Sequence, residues 1–162
     1  MNTRDKVVEM LEEFETAMMI THAPSGPLDC RPMQVAKSEV RDGGPIWFIT
    51  SAESRKVVEI AHDATTLLLF QQDDRYLGVW GRSKLSDDRD RIEELWREPY
   101  RVWFPEGPDD PNIRLVAVIP HSAEFWDNAG ANKLRYVFEA AQAYATGERI
   151  EPSEKQHGRT NL

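Results

Sequence analysis

Two stretches decide the reading of this chain: Arg31-Pro32-Met33 and, one strand later, Trp47-Phe48-Ile49-Thr50-Ser51-Ala52-Glu53-Ser54-Arg55-Lys56. The second reads as the end of a buried strand over residues 48–50, an N-cap at Ser54, and a helix opening Arg55-Lys56-Val57-Val58-Glu59-Ile60-Ala61. Unpaired amides give the first turn of a helix about half a positive charge, so acidic side chains suit it and Arg55 and Lys56 do not. A bound phosphoryl group would reconcile the pattern. Free amides, the Ser54 hydroxyl and the Lys56 ammonium would converge on one dianion, and Arg31 would add a planar fork from the neighbouring strand. The competing reading sends both helix cations to solvent, at roughly a few tenths of a kcal/mol, and pairs Arg31 with Glu39 or Asp29.

Working outward, residues 3–15 carry Val7, Val8, Met10, Leu11 and Phe14 at helical spacing, so the chain opens with an amphipathic helix. Residues 17–22 form a short apolar strand, Pro24-Ser25-Gly26-Pro27 a turn, and residues 30–36 a second strand, as in a hairpin. After the Asp42-Gly43-Gly44 turn, residues 46–50 make the strand that leads into the Ser54 helix. Residues 65–71 and 76–85 are two further strands around Gln72-Asp73-Asp74-Arg75. Ser86-Asp87-Asp88 opens a helix to residue 97, with Ile92, Leu95 and Trp96 on one face. Trp103-Phe104-Pro105-Glu106-Gly107-Pro108-Asp109-Asp110-Pro111 is a loop in which prolines and glycine stop any helix. Residues 113–119 are apolar and strand-like, and residues 123–126 continue them past an interruption at Pro120. A last helix is expected over residues 132–144. Antiparallel strands with helices inserted between them favour a small barrel over a parallel α/β sheet.

The 162 residues suit one domain, residues 1–147, with a polar, frayed tail over residues 148–162. A formal charge of −8 and a pI near 5.0 work against a nucleic-acid groove or an anionic membrane surface, both of which need a basic field. No apolar run approaches the roughly 18 residues of a spanning helix, and the amino terminus lacks the profile of a secretory signal. A single cysteine, Cys30, cannot form an internal disulfide. These features place the protein in the cytoplasm. His22, His62, His121 and His157 have no ligand spacing, so no metal site is expected. Asp73-Asp74 and Asp109-Asp110 read as solvated turns.

Arg-Pro-Met, Trp-Phe-Ile-Thr with Ser-x-Lys at the next helix, Ile-Glu-Glu-Leu-Trp, Trp-Phe-Pro-Glu-Gly-Pro-Asp-Asp-Pro and Glu-Phe-Trp-Asp occur in that order between residues 31 and 127, within a likeness that runs over residues 7–147. Together they resemble the bacterial general stress proteins of the pyridoxamine 5'-phosphate oxidase-like, FMN-binding split-barrel group. The resemblance implies a mainly β fold with added helices, an FMN-binding split β-barrel, and a homodimer with FMN at the subunit interface. It also implies that Arg31, Ser54 and Lys56 hold the FMN phosphate, while Met33, Ile49 and Thr50 line the ribityl chain and ring. Trp126 would approach the ring from the partner subunit, and Gln71 or Gln72 would reach a ring carbonyl. Met33, Ile49 and Phe48 are also ordinary β-core residues, Trp126 could simply cover the barrel mouth, and Trp103 and Phe104 are expected to pack structure rather than cofactor.

Flavin carries its own redox chemistry, so the absence of an obvious catalytic acid or base is compatible with an enzyme. The resemblance therefore suggests a flavin-dependent oxidoreductase acting on an unidentified small molecule. True pyridoxamine-phosphate oxidases end in an Arg-Leu-His-x-Arg type motif that grips the substrate; this chain ends Glu-Lys-Gln-His-Gly-Arg-Thr-Asn-Leu. Two alternatives stand beside the oxidoreductase: a non-catalytic protein that binds or buffers flavin, and a split barrel that has exchanged FMN for a deazaflavin or haem.

Overall fold

A computed structural model describes residues 2–147, 149, 153 and 155–162. Helix α1 (Thr3–Glu13) is followed by strands β1 (Thr16–His22), β2 (Leu28–Gln34), β3 (Lys37–Ser38) and β4 (Ile46–Ser51), then helix α2 (Arg55–His62). Strands β5 (Thr65–Gln72) and β6 (Arg75–Ser86), helix α3 (Arg89–Leu95), strand β7 (Ile113–Asp127), helix α4 (Ala131–Thr146) and strand β8 (His157–Asn161) complete the chain. Short 3₁₀ turns at Glu98–Val102 and Gly107–Asp109 lie between α3 and β7. One antiparallel sheet runs β2-β1-β5-β6-β7-β4-β3, with β8 also on β7. The mainly β split barrel with added helices expected from the sequence is the fold observed.

Alternation builds the barrel. In β4, Ile46, Phe48 and Thr50 are buried while Trp47, Ile49 and Ser51 are half-buried on the opposite face. The inward set joins Val7, Met10 and Phe14 of the α1 region with Met19, Leu68, Phe70, Leu77, Val118 and Phe125 in one core. Phe14 and Phe70 stack there with ring centroids 5.7 Å apart. The outer face of β4 contributes Trp47 and Ile49 to a second cluster built on Ile92, Leu95, Tyr100, Phe104, Ile113 and Leu115. The segment between α3 and β7 is thereby clamped over β4, which is what brings Tyr100 and Phe104 to the candidate site.

The interruption at Pro120 is a bulge. Trp80 pairs with Ser122 and Gly81 with Pro120, leaving His121 as the extra residue. A bulge tolerates a proline that cannot donate to the ladder, so β7 runs unbroken through residues 113–127. Its free edge is shared. β4 pairs with residues 113–118 and β8 with residues 122–126. A Cβ on Gly81 would lie 2.5 Å from the Ile119 carbonyl oxygen, so this crossing requires glycine.

Three expectations need correction. His157–Asn161, read as part of a frayed tail, forms β8 against β7, and Leu162 packs against the barrel core. Asp110 is buried rather than solvated, its carboxylate accepting from the Asn112 amide at 2.9 Å. Ser54 occupies the N-cap position of α2 with extended backbone, but its side chain makes no capping hydrogen bond.

Candidate functional site

Helix α2 projects its first turn toward the edge strand β2. The Lys56 ammonium lies over that turn and donates to the Thr50 hydroxyl at 3.0 Å and the Ser54 hydroxyl at 2.6 Å. The serine therefore serves the lysine instead of the helix amides. Burial and then the nearby Arg31 charge pull the Lys56 pKa below the usual lysine range, with Glu59 acting in the opposite direction.

Arg31 stands opposite Met19 in the β1–β2 ladder. Its guanidinium donates to the Glu59 carboxylate at 2.7 Å, the Thr21 hydroxyl at 2.5 Å and the Met19 carbonyl at 3.4 Å, and lies 3.3 Å from the Asp29 carboxylate. Of the two partners considered from the sequence, Asp29 is present and Glu39 is not; Glu39 binds Lys37, Arg91 and the Trp47 indole. Arg55 is 86 % exposed on its side chain and pairs with Asp29 at 3.1 Å. The solvent-directed reading thus holds for Arg55 and fails for Lys56.

A cleft of about 590 Å³ opens beside these groups, within the range of small-molecule sites. Met33, Ile49, Thr50, Ser54 and Lys56 all line it, so five of the sequence-derived candidates meet in one place. Thr16, Pro32, Gln34 and Ser51 complete the floor and rim, and Tyr100, Trp103 and Phe104 form an aromatic wall. Arg31 borders the group through its neighbours Pro32 and Met33 and through its charge on Lys56.

Of this wall, the sequence assigns Trp103 and Phe104 to packing and does not single out Tyr100. Phe104 is indeed buried and belongs to the cluster on β4, but it also lines the cleft, as does Trp103, which is 77 % exposed. Tyr100 is buried, burial pushes its phenol pKa up, and its hydroxyl has no hydrogen-bond partner among the described residues. The density of aromatics beside Pro105 and Gly107 was the available signal.

Gln71 and Trp126 do not reach this cleft. They line a second hollow of about 380 Å³ with Met18, Leu69, Tyr76 and Leu77, and Thr16 borders both cavities. Trp126 is held flat by His157 of β8, with ring centroids 5.2 Å apart, and the His157 Nε2 is 2.7 Å from Glu124. One chain therefore carries a cationic cleft and, separately, an apolar hollow bearing an indole and an amide. Among the described residues no group of three His, Cys, Asp or Glu is placed to hold a metal ion.

Comparison with known proteins bears on the family and the fold. The family model described as pyridoxamine 5'-phosphate oxidase like matches residues 2–151. General stress protein 26 of Bacillus subtilis (strain 168) is 26 % identical over 138 residues, covering 80 % of this chain and 94 % of that protein. Among solved structures, the general stress FMN/FAD binding protein of Xanthomonas citri superposes with a TM-score of 0.68 at 24 % identity, covering 79 % of this chain and 90 % of the other. A chain from Jannaschia sp. CCS1 assigned to general stress protein 26 gives a TM-score of 0.70 at 22 % identity and covers 98 % of this chain and 97 % of its own. At these identities the structural likeness speaks to the fold.

Proposed function

Because the chain belongs to the pyridoxamine 5'-phosphate oxidase-like family and gathers its buried cations at one helix start, we propose that the cleft binds FMN. The observation that carries this reading is Lys56, a partly buried cation set against the α2 dipole and beside Arg31, with Thr50 and Ser54 as its acceptors. That arrangement is unfavourable by itself and becomes favourable around a phosphate, which would accept from Lys56, the Ser54 hydroxyl, the first-turn amides and Arg31. Met33, Ile49 and Thr50 would lie along the ribityl chain and ring, with the aromatic wall of Tyr100, Trp103 and Phe104 across the cleft. The description of the Xanthomonas citri relative as FMN/FAD binding supports a flavin.

The site is completed, in this reading, by a second copy of the chain. Gln71 and Trp126 suit a flavin ring by chemistry, an amide for a carbonyl and an indole for stacking, yet they line a different hollow from Lys56. A homodimer in which the cleft of one protomer meets the hollow of its partner uses both sets twice, as two-fold symmetry requires. Self-association would also cover the exposed Leu134, Val137, Phe138 and Tyr144 of α4.

Bound flavin would supply the hydride chemistry, while the chain binds, orients and shields; we read the protein as an oxidoreductase on an unidentified small molecule. Among the described residues the cleft lining contains no carboxylate or imidazole, which favours non-catalytic flavin binding as the second reading. No helix among the described residues is long and apolar enough to cross a membrane. The exposed free thiol of Cys30 accords with a reducing cytoplasm. Parallel titrations with FMN and riboflavin test the core of the proposal. FMN should bind at least tenfold more tightly, and equal affinities would overturn the phosphate cleft.

A further inference from the structure

Glu59 has the wrong sign for its position. Its residue is only 4 % exposed, it lies on the same helix face as Lys56 three residues away, and it sits against the arginine proposed to hold an anion. A buried carboxylate is tolerated when it is paired and hydrogen-bonded. Glu59 meets both conditions, since one oxygen accepts from the Thr21 hydroxyl at 2.6 Å and from the Arg31 guanidinium at 2.7 Å.

The surrounding charges explain what the carboxylate does. Arg31, Arg55 and Lys56 are three cations, and Asp29 and Glu59 two carboxylates, so this cluster carries a net charge of +1. Arg31 and Lys56 repel each other, and Glu59 is the group that offsets this for Lys56. With a phosphate in place the balance reverses, because the ligand needs the same guanidinium and lies within the field of the same carboxylate.

We infer that Glu59 is a built-in counter-ion that holds Arg31 while phosphate is absent and competes with it when it binds, so that it sets FMN affinity below what the cations alone would give. The cofactor is then exchangeable rather than permanently held. This rests on the phosphate cleft proposed above and adds a residue that opposes binding.

Glu59→Gln keeps the side-chain volume and an oxygen that can accept from Thr21 and Arg31, and removes only the charge. FMN should bind the variant about tenfold more tightly, equivalent to about 1.4 kcal/mol, with riboflavin unchanged, so the FMN-to-riboflavin ratio rises. The flavin-free variant should melt at a lower temperature, because Arg31 keeps a hydrogen-bond acceptor but loses the negative charge of its buried partner, and FMN should restore the difference. A residue with only a structural role would weaken both flavins together, and one that merely aims Arg31 would weaken FMN selectively; either result overturns the inference. Should Glu59→Gln fail to fold, Asp29→Asn provides the second test, since Asp29 lies 3.3 Å from Arg31 and 3.1 Å from Arg55 at the more open end of the cluster. Its ratio should rise about threefold, and no rise refutes the counter-ion role. Equal binding of FMN and riboflavin by the unaltered protein would instead remove the phosphate reading itself.

Discussion

Replacing Lys56 by Met separates a ligand-binding lysine from a structural one, because the two roles move stability and affinity differently. Methionine retains the apolar stem and deletes the ammonium that Thr50 and Ser54 accept from. Without flavin, two hydrogen bonds to neutral hydroxyls are lost, while a buried cation and its repulsion from Arg31 are removed; these offset, and stability should change by less than about 1 kcal/mol. With FMN a charge-assisted contact disappears, worth about 1.5–3 kcal/mol, so affinity should fall about 10- to 150-fold while riboflavin binding is unchanged. The pH dependence has a defined sign. Lys56 titrates below the ordinary lysine value when folded, so between its folded pKa and 10.5 the unfolded chain binds more protons, and flavin-free stability gains from this residue as pH rises through that window. FMN affinity should fall over the same window as the ammonium discharges, and the Met variant should lack both effects. Flavin fluorescence titrations from neutral to alkaline pH, beside thermal melts, provide the assay. Unchanged FMN affinity, or an equal loss for riboflavin, would return Lys56 to a structural role.

Light scattering should give a mass near twice 18.6 kDa. Mixing Lys56→Met with Trp126→Ala protomers should restore FMN binding in about half the sites of the mixed dimers, since one site then carries neither change, whereas a cleft complete within one chain would show no restoration. Pyridoxamine 5'-phosphate should be oxidised poorly or not at all with FMN saturating, because substrate held without its orienting arginines loses positioning that can supply about 7 kcal/mol; pyridoxal phosphate formation under air measures it, and turnover like a dedicated oxidase would contradict it. Gly81→Ala should destabilise by about 1–3 kcal/mol, since its Cβ would meet the Ile119 carbonyl at 2.5 Å; a lower urea midpoint at constant slope is the expected signature.

The barrel was legible in β6, where burial on one face imposes a period of two, and in β4 and β5 as short apolar, β-prone runs, and the α2 boundary was readable from Ser54 onward. Strand β8 was not. His157-Gly158-Arg159-Thr160-Asn161 has no apolar alternation because its pairing is to one edge of β7, and its side chains are half-buried or exposed. Its one retrospective signal is Gly158, where a Cβ would lie 2.9 Å from both the Phe125 ring and the Thr3 methyl. β3, two residues long, is likewise created by its partner β4 and not by its own composition.

The candidate site divides along the same line. Ser54 and Lys56 were readable because a local rule, cations against a helix dipole, was broken within three residues of sequence, whereas Thr50 entered only through the family resemblance. Glu59 was not readable, since a Glu three residues after a Lys normally marks a solvated helix face with an ion pair along it. Its meaning depends on Arg31, which arrives from β2 only when the hairpin with β1 places it over α2. Sequence spacing thus exposed the half of the site that conflicts with its own helix and concealed the half that resolves a conflict between elements. A single turn of α2 supplies both, Lys56 toward the cleft and Glu59 toward Arg31. The charge a phosphate would meet is therefore set by two side chains whose spacing the helix fixes, and changing either one alone should shift FMN affinity in opposite directions.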